Sequence, residues 1–376
     1  MSLRPVRLAL LLALAGCEHS NPFITGQNPV TGTLTGGTPA RLSFNPGTDE
    51  RVAWWPDGSA FLYTQERADL PLDERCLASM DAGGGAVTGS ICASLEASQD
   101  SQITFESAAV SSRLRLAFVR AGTVKVGGTG FDANALLLTT LFNPVTTRLL
   151  LRTPYFGPDS QSVDNLSQVQ WLGDTSLIVL GEREVFPTCL GCLPDTVRSG
   201  IEIDRINIGA DSARVFAVPA TDSASSVAVG AGDTIYYTRN GASRIYRQSL
   251  SVGVPALFRD FGPGVVVRDV RVAGSRYVVV TGGQVTQFFP DSSFPGTLQR
   301  DHGGDLHLAD VAAGTDVVVT MTNAFARRPV ISSDGHRVVF ERYPYVINVV
   351  RGPGGAIVAV DTIVSHTADL WSVQWP

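Results

Sequence analysis

From about residue 40 onward, apolar and polar residues alternate with a period of two, in short stretches. Runs of Val, Ile, Leu, Phe and Tyr are separated by clusters of Gly, Asp, Ser and Pro. This is the pattern of half-buried β-strands joined by tight turns. Apolar spacings of three and four, which mark an amphipathic helix, do not stand out. Many short strands at regular spacing imply an all-β sandwich, barrel or propeller.

An internal repeat decides among these. One unit recurs: an apolar strand, a tight polar turn, a second strand. It begins with Val52-Ala53-Trp54-Trp55-Pro56-Asp57-Gly58-Ser59-Ala60-Phe61 and returns around Val110, Trp171, Val229 and Val272. The sixth copy is Pro329-Val330-Ile331-Ser332-Ser333-Asp334-Gly335-His336-Arg337-Val338. Anchored on Trp54, Val110, Trp171, Val229, Val272 and Ile331, the spacings are 56, 61, 58, 43 and 59 residues. A repeat of this length, a hairpin plus further strands, is the signature of a propeller blade, and most blades here carry long loops. The Asp-Gly pairs, Asp57-Gly58 and Asp334-Gly335, are expected to supply the positive backbone angles of a tight hairpin. The chain thus predicts a six-bladed β-propeller of four-stranded blades. Residues 40–44 precede the first copy and are expected to give the last blade its outer strand, which closes the ring and removes its free edges.

These residues carry a family resemblance. Arg41-Leu42-Ser43-Phe44-Asn45-Pro46-Gly47, with Trp54 and Pro56-Asp57-Gly58, resembles the blade junction of TolB-like, WD40-like propellers, and residues 329–340 resemble the same motif. Asp305-Leu306-His307-Leu308-Ala309-Asp310 and Asp369-Leu370-Trp371-Ser372-Val373 look like that family's third strands. The resemblance covers residues 40–376 and concerns the propeller only. TolB has a separate amino-terminal domain to which nothing here corresponds.

The start of the chain reads differently. Met1-Ser2-Leu3-Arg4-Pro5-Val6-Arg7 is short and basic, and an unbroken apolar run over residues 8–15 follows. That order is an export signal, and the run is too short to span a bilayer, which takes about 20 apolar residues. It ends in Leu14-Ala15-Gly16-Cys17, which resembles a bacterial lipobox. The resemblance implies cleavage after residue 16 and acylation of Cys17 with several chains, as stable anchoring requires. Glu18 follows, not the aspartate that retains some lipoproteins at the inner membrane, and this leans toward the outer membrane. Residues 17–39, rich in Gly, Thr, Pro and Asn, read as a flexible tether.

Composition narrows the partners. Hydrophobic residues are 44% and charged residues 17% of the 376, which suits a globular core. The net charge of −6 argues against nucleic acid, which needs a basic surface. Lys125 is the sole lysine; the other basic residues are arginines. With Cys17 assigned to lipid, Cys76, Cys92, Cys189 and Cys192 remain, an even number suited to two disulfides in an oxidising compartment. Proximity favours Cys76–Cys92 and Cys189–Cys192. The latter pair also has redox or zinc-knuckle spacing, but Pro187 and Pro194 flank it in a loop, and no matching ligand pair is found for zinc.

Candidate chemistry is sparse. No Gly-x-Ser-x-Gly elbow of a hydrolase is found, no calcium-loop pattern, and no cofactor is expected. The best metal candidate is Asp301-His302-Gly303-Gly304-Asp305-Leu306-His307 with Asp310. Asp305 and His307 share one strand face with His302 in the turn before it, so an exposed polar strand edge is the expectation and no metal is assigned. His19, His336 and His366 are isolated, and His336 reads as a solvated turn residue. Trp54, Trp171 and Trp371 read as packing between blades; Trp55 stands beside the turn and is expected exposed near a blade edge. The leading expectation is a non-catalytic protein-binding or scaffold module, held to a membrane in the cell envelope. The alternative is an enzyme or small-ligand receptor using the central funnel, which a convergent set of acids, histidines or arginines at the funnel mouth would favour.

Overall fold

A computed structural model of the chain describes residues 38–375, apart from residues 45–46, 67–74, 93–102, 127–128, 141–142, 154, 157–161, 186–197, 210–212, 220, 222, 289–296 and 320–323. All of them belong to one unit, Thr33–Pro376. The signal, Cys17, His19, Cys189 and Cys192 lie outside the described residues, as does the tether up to residue 37.

Six antiparallel sheets follow one another along the chain. Their innermost strands are Asp49–Trp54, Ile103–Val110, Ser162–Leu172, Ala224–Val229, Val265–Ala273 and Ala324–Ile331, defining blades 1 to 6. Each sheet then steps outward strand by strand, so the propeller predicted from the repeat is the fold. The repeat unit is in each case the hairpin of the first and second strands. The predicted third strands are found as Thr297–Asp310 and Asp369–Gln374.

Closure is as the sequence implies. Ala40–Arg41 pairs antiparallel with Asp369–Gln374, Ala40 opposite Ser372 and Arg41 opposite Trp371. The buried Arg41 Nη2 lies 2.6 Å from Asp369 Oδ1, and the Leu42 N–H donates to the Leu370 carbonyl at 2.7 Å. The ring is therefore latched by chain segments more than 300 residues apart in sequence.

A hydrophobic cluster fills each seam between adjacent blades. Leu62 and Leu77 of blade 1 meet Phe105, Leu116 and Phe118 of blade 2; Phe61 and Tyr63 of blade 1 meet Val330, Val339 and Leu370 of blade 6. Side chains on the two faces of a strand alternate, so successive residues such as Phe61 and Leu62 serve opposite seams. Trp55 corrects the expectation made for it: it is half-buried and packs on the seam between blades 1 and 2, because the seam cluster offers more apolar contact than the turn does.

The Asp-Gly turns work by a different device from the one expected. Only the glycines take positive φ, +71° at Gly58 and +73° at Gly335. The aspartates instead receive local donors: Asp57 Oδ1 accepts the Ser59 N–H at 3.0 Å, and Asp334 Oδ1 accepts the His336 N–H at 3.0 Å. This is an Asx turn closed by a left-handed glycine, not a two-residue loop with two positive angles. His336 is exposed, as expected of a turn residue, but its Nδ1 stands 3.0 Å from Arg276 Nη1 of blade 5.

The ring has two unlike ends. Every innermost strand starts at one end, the crown, and finishes at the other, the base. Connections between second and third strands fall at the crown. In blade 5 those two strands stay paired out to Phe288 and Thr297, whereas the innermost strand's pairing ends at Val265 and Gly283. In blade 6, Ile357–Val364 extends the second strand's upper half into a further hairpin. Blade 4 has no such extension: Thr234–Arg239 turns directly into Arg244–Ser249. The short 43-residue spacing belongs to blade 4, and crown hairpins lengthen the spacings of blades 2 and 5. The base holds both chain exits, since the Trp375 N–H donates to the His336 carbonyl in the base turn of blade 6, and Ala40 lies beside Ser372.

Candidate functional site

The axis of the ring is a channel of three zones, each built from the innermost strands. Every one of these strands carries a register shift, after Glu50, Phe105, Ser167, Ala224, Val267 and Arg327. A bulge of this kind re-aims a side chain and frees backbone groups from the ladder. At three of them the extra residue is left-handed: Arg51 at φ 61°, Gln168 at 49° and Arg328 at 41°. Such angles in non-glycine residues cost on the order of 1–3 kcal/mol each and persist where surroundings over-determine them.

Here neighbouring blades do so. The Arg51 N–H donates to Glu341 Oε1 at 2.5 Å, and the Arg328 N–H to Asp269 Oδ2 at 3.1 Å. Gln168 uses its side chain: its Oε1 accepts the Val227 N–H at 3.1 Å, and its Nε2 donates to the Ser225 carbonyl at 3.1 Å. Each bond crosses from one blade to another.

The narrow waist, a cavity of about 180 Å³, is lined by Arg51, Ser107, Gln168, Arg271 and Arg328. Glu341 is fully buried; its Oε2 accepts both Arg328 Nη1–H and the Tyr343 hydroxyl at 2.9 Å. Glu50 Oε2 lies 3.3 Å from the same two donors. Two carboxylates therefore share one guanidinium and one phenol. Burial pushes the Glu341 carboxyl up, with Arg328 opposing, while the Glu341 charge holds Arg328 protonated. Burial, then Glu341, also raises the Tyr343 hydroxyl above the usual phenol range. On the other side, Arg271 Nη1 donates to the carbonyls of Val270 and Val227 at 2.7 and 3.0 Å. This network spans blades 1, 3, 4, 5 and 6.

The crown mouth is a wider cavity of about 1010 Å³, with Arg268, Arg327 and Arg328 against one lining acid, Asp269. Arg328 and Asp269 form the floor, joined through the Arg328 N–H. Arg268 is pulled below the usual arginine value, by burial first and then by the charge of Arg327. Phe325 lines one wall and stacks on Tyr345 of the blade 6 hairpin, ring centroids 4.9 Å apart. Asn240 and the exposed His366 border the opening.

The base mouth, about 650 Å³, is lined by apolar and polar groups alike, Ser107, Gln168, Gln170 and Arg271 among the latter. Trp54, Val110, Trp171, Val229, Val272 and Ile331 all line it. These are the six anchors of the sequence repeat, now one ring of side chains. Both tryptophans donate their indole N–H to the preceding blade of the ring, Trp54 to the Val330 carbonyl at 3.2 Å and Trp171 to the Ala109 carbonyl at 3.0 Å.

The metal candidate is not an exposed strand edge. Thr297–Asp310 is an interior strand, and His302 is part of it and not in a turn. His307 Nδ1 lies 3.3 Å from Asp316 Oδ1 and packs edge-on against Phe261. Asp310 accepts the Ser275 hydroxyl and the Ala312 N–H, both at 2.9 Å. Gly304 lies in the seam of blades 5 and 6: a Cβ there would stand 2.4 Å from Val280 Cγ1 and 2.7 Å from the Ala326 carbonyl. Among the described residues no group of three or more His, Cys, Asp or Glu gathers to hold a metal. Cys76 is buried and stands in register opposite Cys92 in blade 1.

No family model matches the chain, and no curated protein matches it. Among solved structures it is similar to the gluconolactonase XC5397 of Xanthomonas campestris, with a TM-score of 0.47 and 12% identity over 91% of this chain and 94% of that one. It is similar also to TolB of Acinetobacter baumannii, TM-score 0.43, 13% identity, 85% of this chain and 64% of TolB. The acylaminoacyl peptidase of Pyrococcus horikoshii is a third, at 0.41 and 12%, with 86% of this chain covering 45% of the peptidase.

Proposed function

We propose that this protein is an exported lipoprotein of the cell envelope, tethered through Cys17, whose propeller is a non-catalytic binding module that takes its partner at the crown mouth. The observation that carries the reading is the polarity of the channel. Charged side chains of blades 5 and 6, Arg268, Asp269, Arg327 and Arg328, converge at the crown mouth, whereas Arg271 is the one charged residue that lines the base mouth. The outer membrane is the favoured site. The alternative, a small-ligand receptor in the same funnel, is favoured by one specific observation, the convergence of Arg268, Arg327 and Arg328.

The register of Cys76 and Cys92 supports a disulfide between them, in keeping with an oxidising compartment. Mass mapping of the protein from envelope membranes tests address and bridge together. The expected result is an acylated first peptide beginning at Cys17 and a cross-linked peptide pair joining Cys76 to Cys92. An unmodified chain starting at Met1 would refute the address.

Binding is tested by blocking the crown. Asn240 is exposed in the tight turn of blade 4 and lines the mouth. Asn240→Trp is expected to abolish retention of an envelope component that the wild-type ring retains, with the melting temperature unchanged. Equal retention by both proteins would place the binding surface elsewhere.

A further inference from the structure

The chain as a whole is acidic, 35 Asp and Glu against 29 Lys and Arg, yet its crown mouth reverses that balance, with three arginines to one aspartate. Arg328 and Asp269 are committed to the floor, one bound to Glu341 and Glu50 and both joined to each other. Arg268 and Arg327 flank that floor on blades 5 and 6, from bulge-adjacent positions of the innermost strands. Both line the mouth, where burial first and then the charge of Arg327 disfavour the charged form of Arg268, and Asp269 offsets part of that. An anion lying between them removes that cost.

We propose, resting on the crown mouth as the binding site, that its ligand is a small organic oxyanion whose carboxylate or phosphate is gripped by Arg268 and Arg327. The planar guanidinium fork matches both groups and binds them bidentately. A cavity of about 1010 Å³ is at the upper end of the range of sites that enclose a small molecule, about 300–1,000 Å³. Phe325, which lines the mouth and stacks on Tyr345, gives an aromatic wall against which a ring can lie. Beyond the mouth the channel narrows to the waist of about 180 Å³.

Titration calorimetry on the full chain with glucuronate, glucose 6-phosphate and glucose tests this. The two charged probes are expected to bind and glucose to bind at least tenfold more weakly; which charged probe binds tighter tells carboxylate from phosphate. Arg268→Gln and Arg327→Gln are each expected to weaken the charged probes by at least tenfold, as loss of a charge-assisted hydrogen bond of about 1.5–3 kcal/mol does. Arg259→Gln, in an exposed ion pair with Asp316 on the outer rim, is the control and should leave binding unchanged. Unaltered melting curves of the variants separate lost binding from lost folding. Equal binding of glucose and the charged probes, or binding indifferent to both arginine variants, overturns the oxyanion while leaving the crown as a binding site. No binding by any probe, with retention of an envelope component still lost in Asn240→Trp, overturns it too and leaves the crown as a docking surface. If that retention also survives the variant, the crown reading itself falls.

Discussion

Glu341→Ala is expected to destabilise the ring by about 3–5 kcal/mol, the scale for removing one partner of a buried ion pair. The carboxylate is fully buried and serves three donors at once: the backbone N–H of Arg51, the guanidinium of Arg328 and the hydroxyl of Tyr343. Alanine leaves all three with Glu50 alone nearby. It also withdraws the acceptor that holds Arg51 in its left-handed conformation. Glu341→Gln keeps acceptor geometry but not charge, so its loss should be smaller. The measurement is the urea midpoint, with the slope of the transition checked for constancy. A shift worth less than 1 kcal/mol would mean that the waist network is wetter and weaker than described.

Gly304→Val is the second large effect, about 3 kcal/mol and at the top of the overpacking range. The neighbours a Cβ would meet are Val280 of the same blade and the backbone carbonyl of Ala326 in the next. The carbonyl cannot swing aside, so blades 5 and 6 must part along their seam. Gly83→Ala is the control: a Cβ there meets nothing within 4 Å, and the change should stay within about 0.5 kcal/mol. Thermal unfolding of the three proteins side by side reads the difference. A Gly304→Val protein as stable as Gly83→Ala would show that the seam can open at that point without cost.

The ring was legible because packing between blades repeats. The apolar anchors recur once per blade, and all six turn out to line the base mouth. The polar site was not read, because its members come from different blades and no two stand at a motif spacing. A signal was nevertheless present. The residues three before the anchors are Arg51, Ser107, Gln168, Ser226, Asp269 and Arg328, every one polar. A polar column in step with an apolar one is what a channel lining demands, and these side chains form the waist and its cross-blade bonds. Arg268 and Arg327 each stand one place earlier still, at shifts of register that no alternation pattern shows. The histidine-rich stretch misled for the opposite reason. Its notable residue is Gly304, whose role is to be small, while His307 is occupied by Asp316 and Phe261.

The latch strand has a mechanical consequence. Ala40–Arg41 runs from base to crown, antiparallel to Asp369–Gln374, so a pull on the chain before residue 40 acts along the strand. Ladder hydrogen bonds lie across that direction. They are therefore strained together in shear and are not peeled one by one, and the Arg41–Asp369 contact resists the same slide. A very short strand can in this way carry tension between the chain that precedes it and the ring. Its rupture would open the circle at one seam only, and the other five would keep their packing.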